Sequence, residues 1–541
     1  MRFETRVITI SLAIFFGGIT YAYATTYYIS PGGDDNNSGT SRRQAWRTIN
    51  RVNGAVFAAG DNILFKGGKT FTGSLYFDST TMGTDSLPIT ISSYGNGRAT
   101  IQAGTDDGLF AYNTSGYLIT NINFVGAGRE VSNGDGIIFY NDLPGNTKLN
   151  YVHIDNVEVS GFGGAGIAIQ GANGNSGFQD ISITNTEAHD NADTGILIWG
   201  PFSSSSTGYA HENIYIGYTA AYNNSGIPGL SFNTGNGIEI SDVDGGVIER
   251  SVAYNNGWLN TAVGGPVGIW ACYSNNISIQ YNESFDNHTA SSSDGGGFDL
   301  DGGVTNSVMQ YNYSHDNDGA GFLLTQFSDV PPFFGNTIRY NISQNDGRKN
   351  SFGGIRVWNG GSGIKNSEIY NNTVYMSPAN SGSPKAISIF GSTLNVHVRN
   401  NIFITTGGLQ IVNVSSGQSG MLFQGNDYWS SGSSFAIKWG STTYTSLGSW
   451  RNATGQEKMG TVNTGFNIDP ELVNSGGGGT FGDATLLSTL TAYQLQSTSP
   501  LIDAGLNLMQ FGINPGTRDF YGDTIPQGPA YDVGAYDTTR N

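Results

Sequence analysis

A five-residue unit opening on a small residue recurs down the middle of the chain: GIAIQ (166–170), GILIW (195–199), GIEIS (237–241), GIWAC (268–272), GFDLD (297–301), GFLLT (321–325), GIRVW (354–358) and AISIF (386–390). Its second and fourth positions are apolar, a period of two that reads as a short strand with one buried face. After most pentads comes a second unit, such as GVIERSVAYNN (246–256), ISIQYNESFDN (277–287), SVMQYNYSHDN (307–317) or TIRYNISQND (337–346), which closes on Asn and Asp residues suited to a turn. Pentads begin 24 to 42 residues apart, too close for helix-rich crossovers, so they are expected to be successive coils of a solenoid. Each strand then pairs in parallel with its equivalents about 4.8 Å above and below. The column Asn191, Asn224, Asn256, Asn287 and Asn317 is expected to stack as a hydrogen-bonded ladder at one corner.

The composition agrees with a folded, β-rich protein. Glycine is abundant, 80 of 541 residues, but 12% aromatic content and regular Ile/Val alternation supply the apolar surface that a disordered chain lacks. A net charge of −18 with no Lys/Arg stripe argues against nucleic acid as a partner. It also disfavours a polyanionic glycan unless a cation intervenes. The lone Cys272 permits no internal disulfide. Residues 1–24 carry Arg2 and Arg6, an apolar run and a small-residue site at Ala24, the pattern of a secretory signal. Since no later segment is long and apolar enough to span a bilayer, the mature protein is expected to be a soluble, secreted or periplasmic monomer with no membrane contact.

If the pentads stack in register, positions two and four point into the coil while three and five point outward. The outward face then reads Ala168/Gln170, Leu197/Trp199, Glu239/Ser241, Trp270/Cys272, Asp299/Asp301, Leu323/Thr325, Arg356/Trp358 and Ser388/Phe390. Indoles beside carboxylates and a guanidinium suit a sugar cleft, because ring faces pack on pyranoses while charged groups take hydroxyls or cleave bonds. Asp299, Asp301 and Glu239 are the catalytic candidates, with Asp301 nominated as acid and Asp299 as base. Trp199, Trp270, Arg356, Trp358 and Asp294 are candidate substrate contacts. His315 is carried with them, although it shares a column with His189, Tyr222, Tyr254, Phe285 and Gln344 that looks like a packing slot. Cys272 has no nearby His partner in the pattern and is taken as a bystander.

The segments YYISPGGDDNNSGT (27–40), AWRTINRVN (45–53) and AGDNILFKGG (59–68), with STSPLIDAG (497–505) and YDVGAYD (531–537) at the far end, resemble right-handed parallel β-helix proteins of the pectate-lyase-like superfamily. The resemblance implies an all-β, right-handed parallel β-helix solenoid with a short N-terminal helical cap and a β-rich C-terminal cap, in a secreted protein acting on polysaccharide. Trp46, Ile49 and Val52 fit the helical cap. The implied division is signal peptide (1–24), N-terminal cap (25–62), parallel β-helix (63–432), and final coils with a C-terminal cap (433–541).

By the same resemblance, β-helix lyases abstract a sugar proton with Lys or Arg while acids hold Ca²⁺. In one pectate-lyase family a catalytic lysine sits where this chain has Asp301. A glycoside hydrolase acting on a neutral or weakly charged glycan, with no required cofactor, is therefore the first expectation. A lyase or C5-epimerase using Ca²⁺ and Arg356 as base is the second, and a non-catalytic glycan-binding surface protein the third. Long insertions at 201–236 and 328–336 are expected to wall the cleft, with Tyr209, Phe333 and Phe334 as wall residues.

Overall fold

The computed structural model describes residues 24–432 and 434–540, so the proposed signal peptide lies almost wholly outside the described residues. The chain winds as a parallel solenoid whose coils build a 14-stranded sheet and a bent 26-stranded sheet. The pentads form consecutive rungs of the 14-stranded sheet, here called the site wall. Two earlier units, GLFAY (108–112) and GIIFY (136–140), continue it toward the N-terminus. Inward positions such as Ile196, Ile198, Ile238, Ile269, Phe298 and Leu300 are fully buried in one continuous core.

The recurrent glycine has a steric cause. A Cβ on Gly297 would sit 2.3 Å from Ser314 Oγ and 3.0 Å from Asn317 Nδ2, and one on Gly237 would lie 2.4 Å from the Gly268 carbonyl oxygen. The pentad opens where the chain crosses directly over the asparagine corner, which leaves no room for a side chain.

That corner holds the expected ladder. Asn191, Asn224, Asn256, Asn287 and Asn317 each donate from Nδ2 to the Oδ1 one coil on, at 2.8–3.2 Å, and the series ends on Asp346. The residue before each ladder member, from Asp190 through Asn223, Asn255, Asp286 and Asp316 to Asn345, takes φ near +50°, which Asn and Asp tolerate best. A second ladder runs Asn282, Asn312, Asn341, Asn372, Asn401, Asn426 and bends the larger sheet; it ends on Glu457.

Both ends of the solenoid are covered. At the start, Trp46 stacks on Tyr27 at 4.9 Å, and the helix Ile49–Asn53, capped by Thr48, buries Ile49 and Val52. At the far end, the helix Leu447–Thr454 presses the fully buried Trp450 against Phe423, Tyr428 and Trp439. The remaining chain does more than close a coil. From Phe466 onward it returns along the outside of the larger sheet, where Leu472, Leu487, Tyr493, Leu501 and Ile502 pack on Val252, Phe285, Tyr313, Ile342 and Ile402. Among the described residues, no helix is long and apolar enough to cross a membrane.

Candidate active site

Register along the site wall is continuous: Leu197 pairs with Glu239, Glu239 with Trp270, Trp270 with Asp299, Asp299 with Leu323, and Leu323 with Arg356. Seven of the nine nominated site residues lie on these outward columns, and Asp294 joins them from the turn just before its strand. Together they line a pocket of about 1010 Å³ with Gln170 at one end and Arg356 and Trp358 at the other.

The wall faces away from the coil, as the alternation requires, but it is not open to solvent. Loops leading into the rungs contribute Ser231, Phe232, Val263, Asp294 and Phe352, while loops leaving them contribute Phe202 and Phe327. Beneath these two banks Asp299 is only 3% exposed, Trp270 4% and Glu239 8%, whereas Trp199 and Trp358 stand at the rims, each 37% exposed.

Burial changes the protonation of every carboxyl here. Desolvation drives Asp299 well above the ordinary carboxylate range, with Asp301 and Asp294 adding repulsion. Desolvation and the charges of Asp193 and Asp301 take Glu239 up to about 8, against one hydrogen bond from Asn236 at 2.9 Å. Asp301, desolvated but accepting the Gly302 N–H at 2.6 Å, is pushed up to about 7. Asp294 is raised by desolvation only to about 6, because the Arg356 guanidinium favours its ionised form. Arg356 lies 3.9 Å over the Phe352 ring and is itself lowered to about 10 by burial.

Four buried polar atoms on this surface have no protein partner: Ser241 Oγ, Trp270 Nε1, Asp299 Oδ1 and Thr325 Oγ1. Leaving one such group unpaired costs about 1–3 kcal/mol. All four belong to residues that line the same pocket, so a ligand rich in hydroxyls can satisfy them. Cys272 lines the pocket as well, with burial pushing its thiol up, away from the reactive thiolate.

His315 does not join the site. It sits on the larger sheet, stacked 5.0 Å from Phe285 in the expected column, with Glu283 at 3.2 Å. The loop aromatics also differ from expectation: Phe333 is buried in the main core, and neither Tyr209 nor Phe334 lines the pocket. Asp193, raised by desolvation to about 6, was not singled out from the sequence, nor were Phe202, Phe232, Phe327 and Phe352. Asp193, Asp294 and Phe352 all fall in the few residues before a pentad, a position that approaches the outward face from its edge.

The architecture is that of a right-handed β-helix, and a family model described as a right handed beta helix region matches residues 209–374. The chain is 25% identical over 517 residues to a lacto-N-biosidase of Bifidobacterium longum subsp. longum, an alignment covering 76% of this chain and 31% of that protein. It thus spans about a third of the length of that curated relative. A GH136 lacto-N-biosidase from Eubacterium ramulus superposes with a TM-score of 0.52 at 17% identity, covering 73% of this chain and 66% of that one. A pectate lyase superposes over 96% of each chain with a TM-score of 0.42 at 17% identity.

Proposed function

We propose that this protein is an exported glycoside hydrolase acting on a neutral or weakly charged oligosaccharide. The observation that carries the reading is the pair Asp294 and Asp301, which line one roofed, tryptophan-edged pocket with their carboxyls raised to about 6 and about 7. Hydrolysis of a glycosidic bond needs one carboxylic acid to protonate the leaving oxygen and one carboxylate to attack carbon or activate water. Asp301, at about 7, keeps a proton to give in near-neutral solution; Asp294, at about 6 beside Arg356, is the ionised partner. This exchanges the base expected from the sequence, Asp299, for Asp294. Asp299, 3% exposed with Oδ1 unpaired and its carboxyl raised by burial, serves with Trp270, Ser241 and Thr325 to hold sugar hydroxyls.

The similarity to lacto-N-biosidases supports the choice of hydrolysis and makes a lacto-N-bioside the first substrate to test. Purified protein incubated with a panel of neutral oligosaccharides should give products heavier by one water per bond cut, and Asp301→Asn should abolish them. An unsaturated, ultraviolet-absorbing product lost on chelation would instead establish calcium-dependent elimination. Binding with no turnover on any substrate would leave a glycan-binding protein. Export is tested separately, by sequencing the mature N-terminus, expected at Thr25.

A further inference from the structure

The two outward columns that carry the pocket do not stop at Gln170. One rung on, Gln170 pairs with Tyr140 and Ala168 with Ile138; the next rung pairs Tyr140 with Tyr112 and Ile138 with Phe110, and Phe110 in turn pairs with Tyr76. Here the wall turns aromatic. Tyr112 stacks on Tyr140 at 6.3 Å, and Phe110 meets Tyr76 and Tyr140 at 5.9 and 6.5 Å. Unlike the rings of the core these are solvent-facing: Tyr76 is 42% exposed, and Phe110, Tyr112 and Tyr140 are partly exposed. Asp142 accepts the Tyr112 hydroxyl at 2.9 Å, which fixes that ring against the wall.

The other end of the pocket is different. Beyond Arg356 the next rungs present Ser388, fully buried, and Asn413, 8% exposed. On its C-terminal side the other column continues from Trp358 to a single partly exposed ring, Phe390, whereas the N-terminal side gathers four aromatic rings over three rungs. Three rungs separate Gln170 from Tyr76, about 14 Å at the parallel-strand spacing, enough for further sugar rings in line with the pocket.

We propose that Tyr76, Phe110, Tyr112 and Tyr140 form a distal track for the continuing chain of the glycan whose scissile bond lies in the pocket. The occupant is a run of neutral hexopyranosyl residues, whose apolar ring faces match exposed aromatic faces and whose lack of charge suits a protein of net charge −18. The inference rests on the glycan-hydrolase reading for its rate measurements but not for its binding measurement.

The test compares wild type with Phe110→Ala/Tyr140→Ala and, separately, with Tyr76→Ala, which removes the ring that is 42% exposed. On a series of neutral oligosaccharides of increasing length that share one cleaved terminus, wild-type kcat/KM should rise by about tenfold or more as the chain reaches the track, the equivalent of one or two aromatic contacts. The variants should lose that gain while keeping the wild-type rate on the shortest substrate. A rate independent of length in wild type, or an equal loss at every length, overturns the proposal. Affinity electrophoresis through soluble β-glucan, galactomannan and galactan gels supplies the arm that needs no turnover. Wild type retarded in at least one gel and both variants running freely supports the track even if no glycan is cleaved, whereas equal migration in all three overturns it.

Discussion

Two buried carboxylates, Glu283 and Asp299, show how differently the two sheets use the same chemistry. Glu283 is fully buried on the larger sheet, where it accepts the Phe481 and Gly482 N–H groups at 2.9 and 2.8 Å and faces His315 at 3.2 Å. Burial alone would push the His315 imidazole down, but its hydrogen bonds to Asp316 and Glu283 outweigh that and carry it up to about 9. Asp299, 3% exposed on the site wall, leaves Oδ1 unpaired and has other acids for neighbours. A buried carboxyl with every partner in place fastens the returning C-terminal segment. A buried acid without partners is a cost to the fold that a ligand can recover.

The largest effect that this contrast predicts is at Asp301. Asp301→Asn should lower kcat by about 10³-fold, within the range for general acids, with the melting temperature unchanged or higher. An activity loss matched by unfolding would place Asp301 with the fastening groups. Next comes Asn341→Ala, which orphans the Asn312 amide groups and the Met309 carbonyl at once. It should cost about 3 kcal/mol in urea unfolding.

Glu283→Gln should cost about 2 kcal/mol and free residues near Phe481 for limited proteolysis while hydrolysis persists. The pH dependence has a definite sign. Because the His315 pKa is raised in the folded state, its contribution is complete below about 6.5 and lost as pH rises through about 9, so wild type should become protease-sensitive over that interval.

The site should show its own pH signature. With Asp294 as the proposed carboxylate and Asp301 as the proposed acid, kcat/KM should peak between about 6 and about 7 and fall about tenfold per unit on either side. Asp294→Asn should remove the acid limb along with most of the rate. The smallest effect is expected at the rim, where Trp199→Ala or Trp358→Ala should raise KM by about three- to tenfold with kcat nearly unchanged, as loss of one ring contact allows.

Much of this was readable in the sequence because a strand alternates strictly and a glycine marks where each coil crosses the asparagine corner. Asp299, Trp270 and Glu239 therefore fell on one outward column, and His315 fell in an aromatic slot whose packing role the structure bears out. The roof was not readable. The cover over Asp299 includes Phe232, Val263 and Phe327, supplied by loops of other coils with no periodicity to align them. The second asparagine ladder runs through repeated Tyr-Asn pairs, such as those at 281–282, 311–312 and 340–341, which the sequence reading did not single out. The return of the C-terminal segment carries no local signal, since Leu487 and Tyr493 sit in irregular chain and acquire meaning only against the strands they cover.

The second ladder finishes on a side chain of a different kind. Glu457 takes the Asn426 amide at 2.8 Å, the Tyr428 hydroxyl at 2.7 Å and the Thr464 hydroxyl at 2.9 Å. Every asparagine in the column both gives and receives, so each invites another below it; a carboxylate only receives. The series is thereby given a last member, and a second molecule meeting this end finds no amide hydrogen left over with which to extend the stack into a fibre.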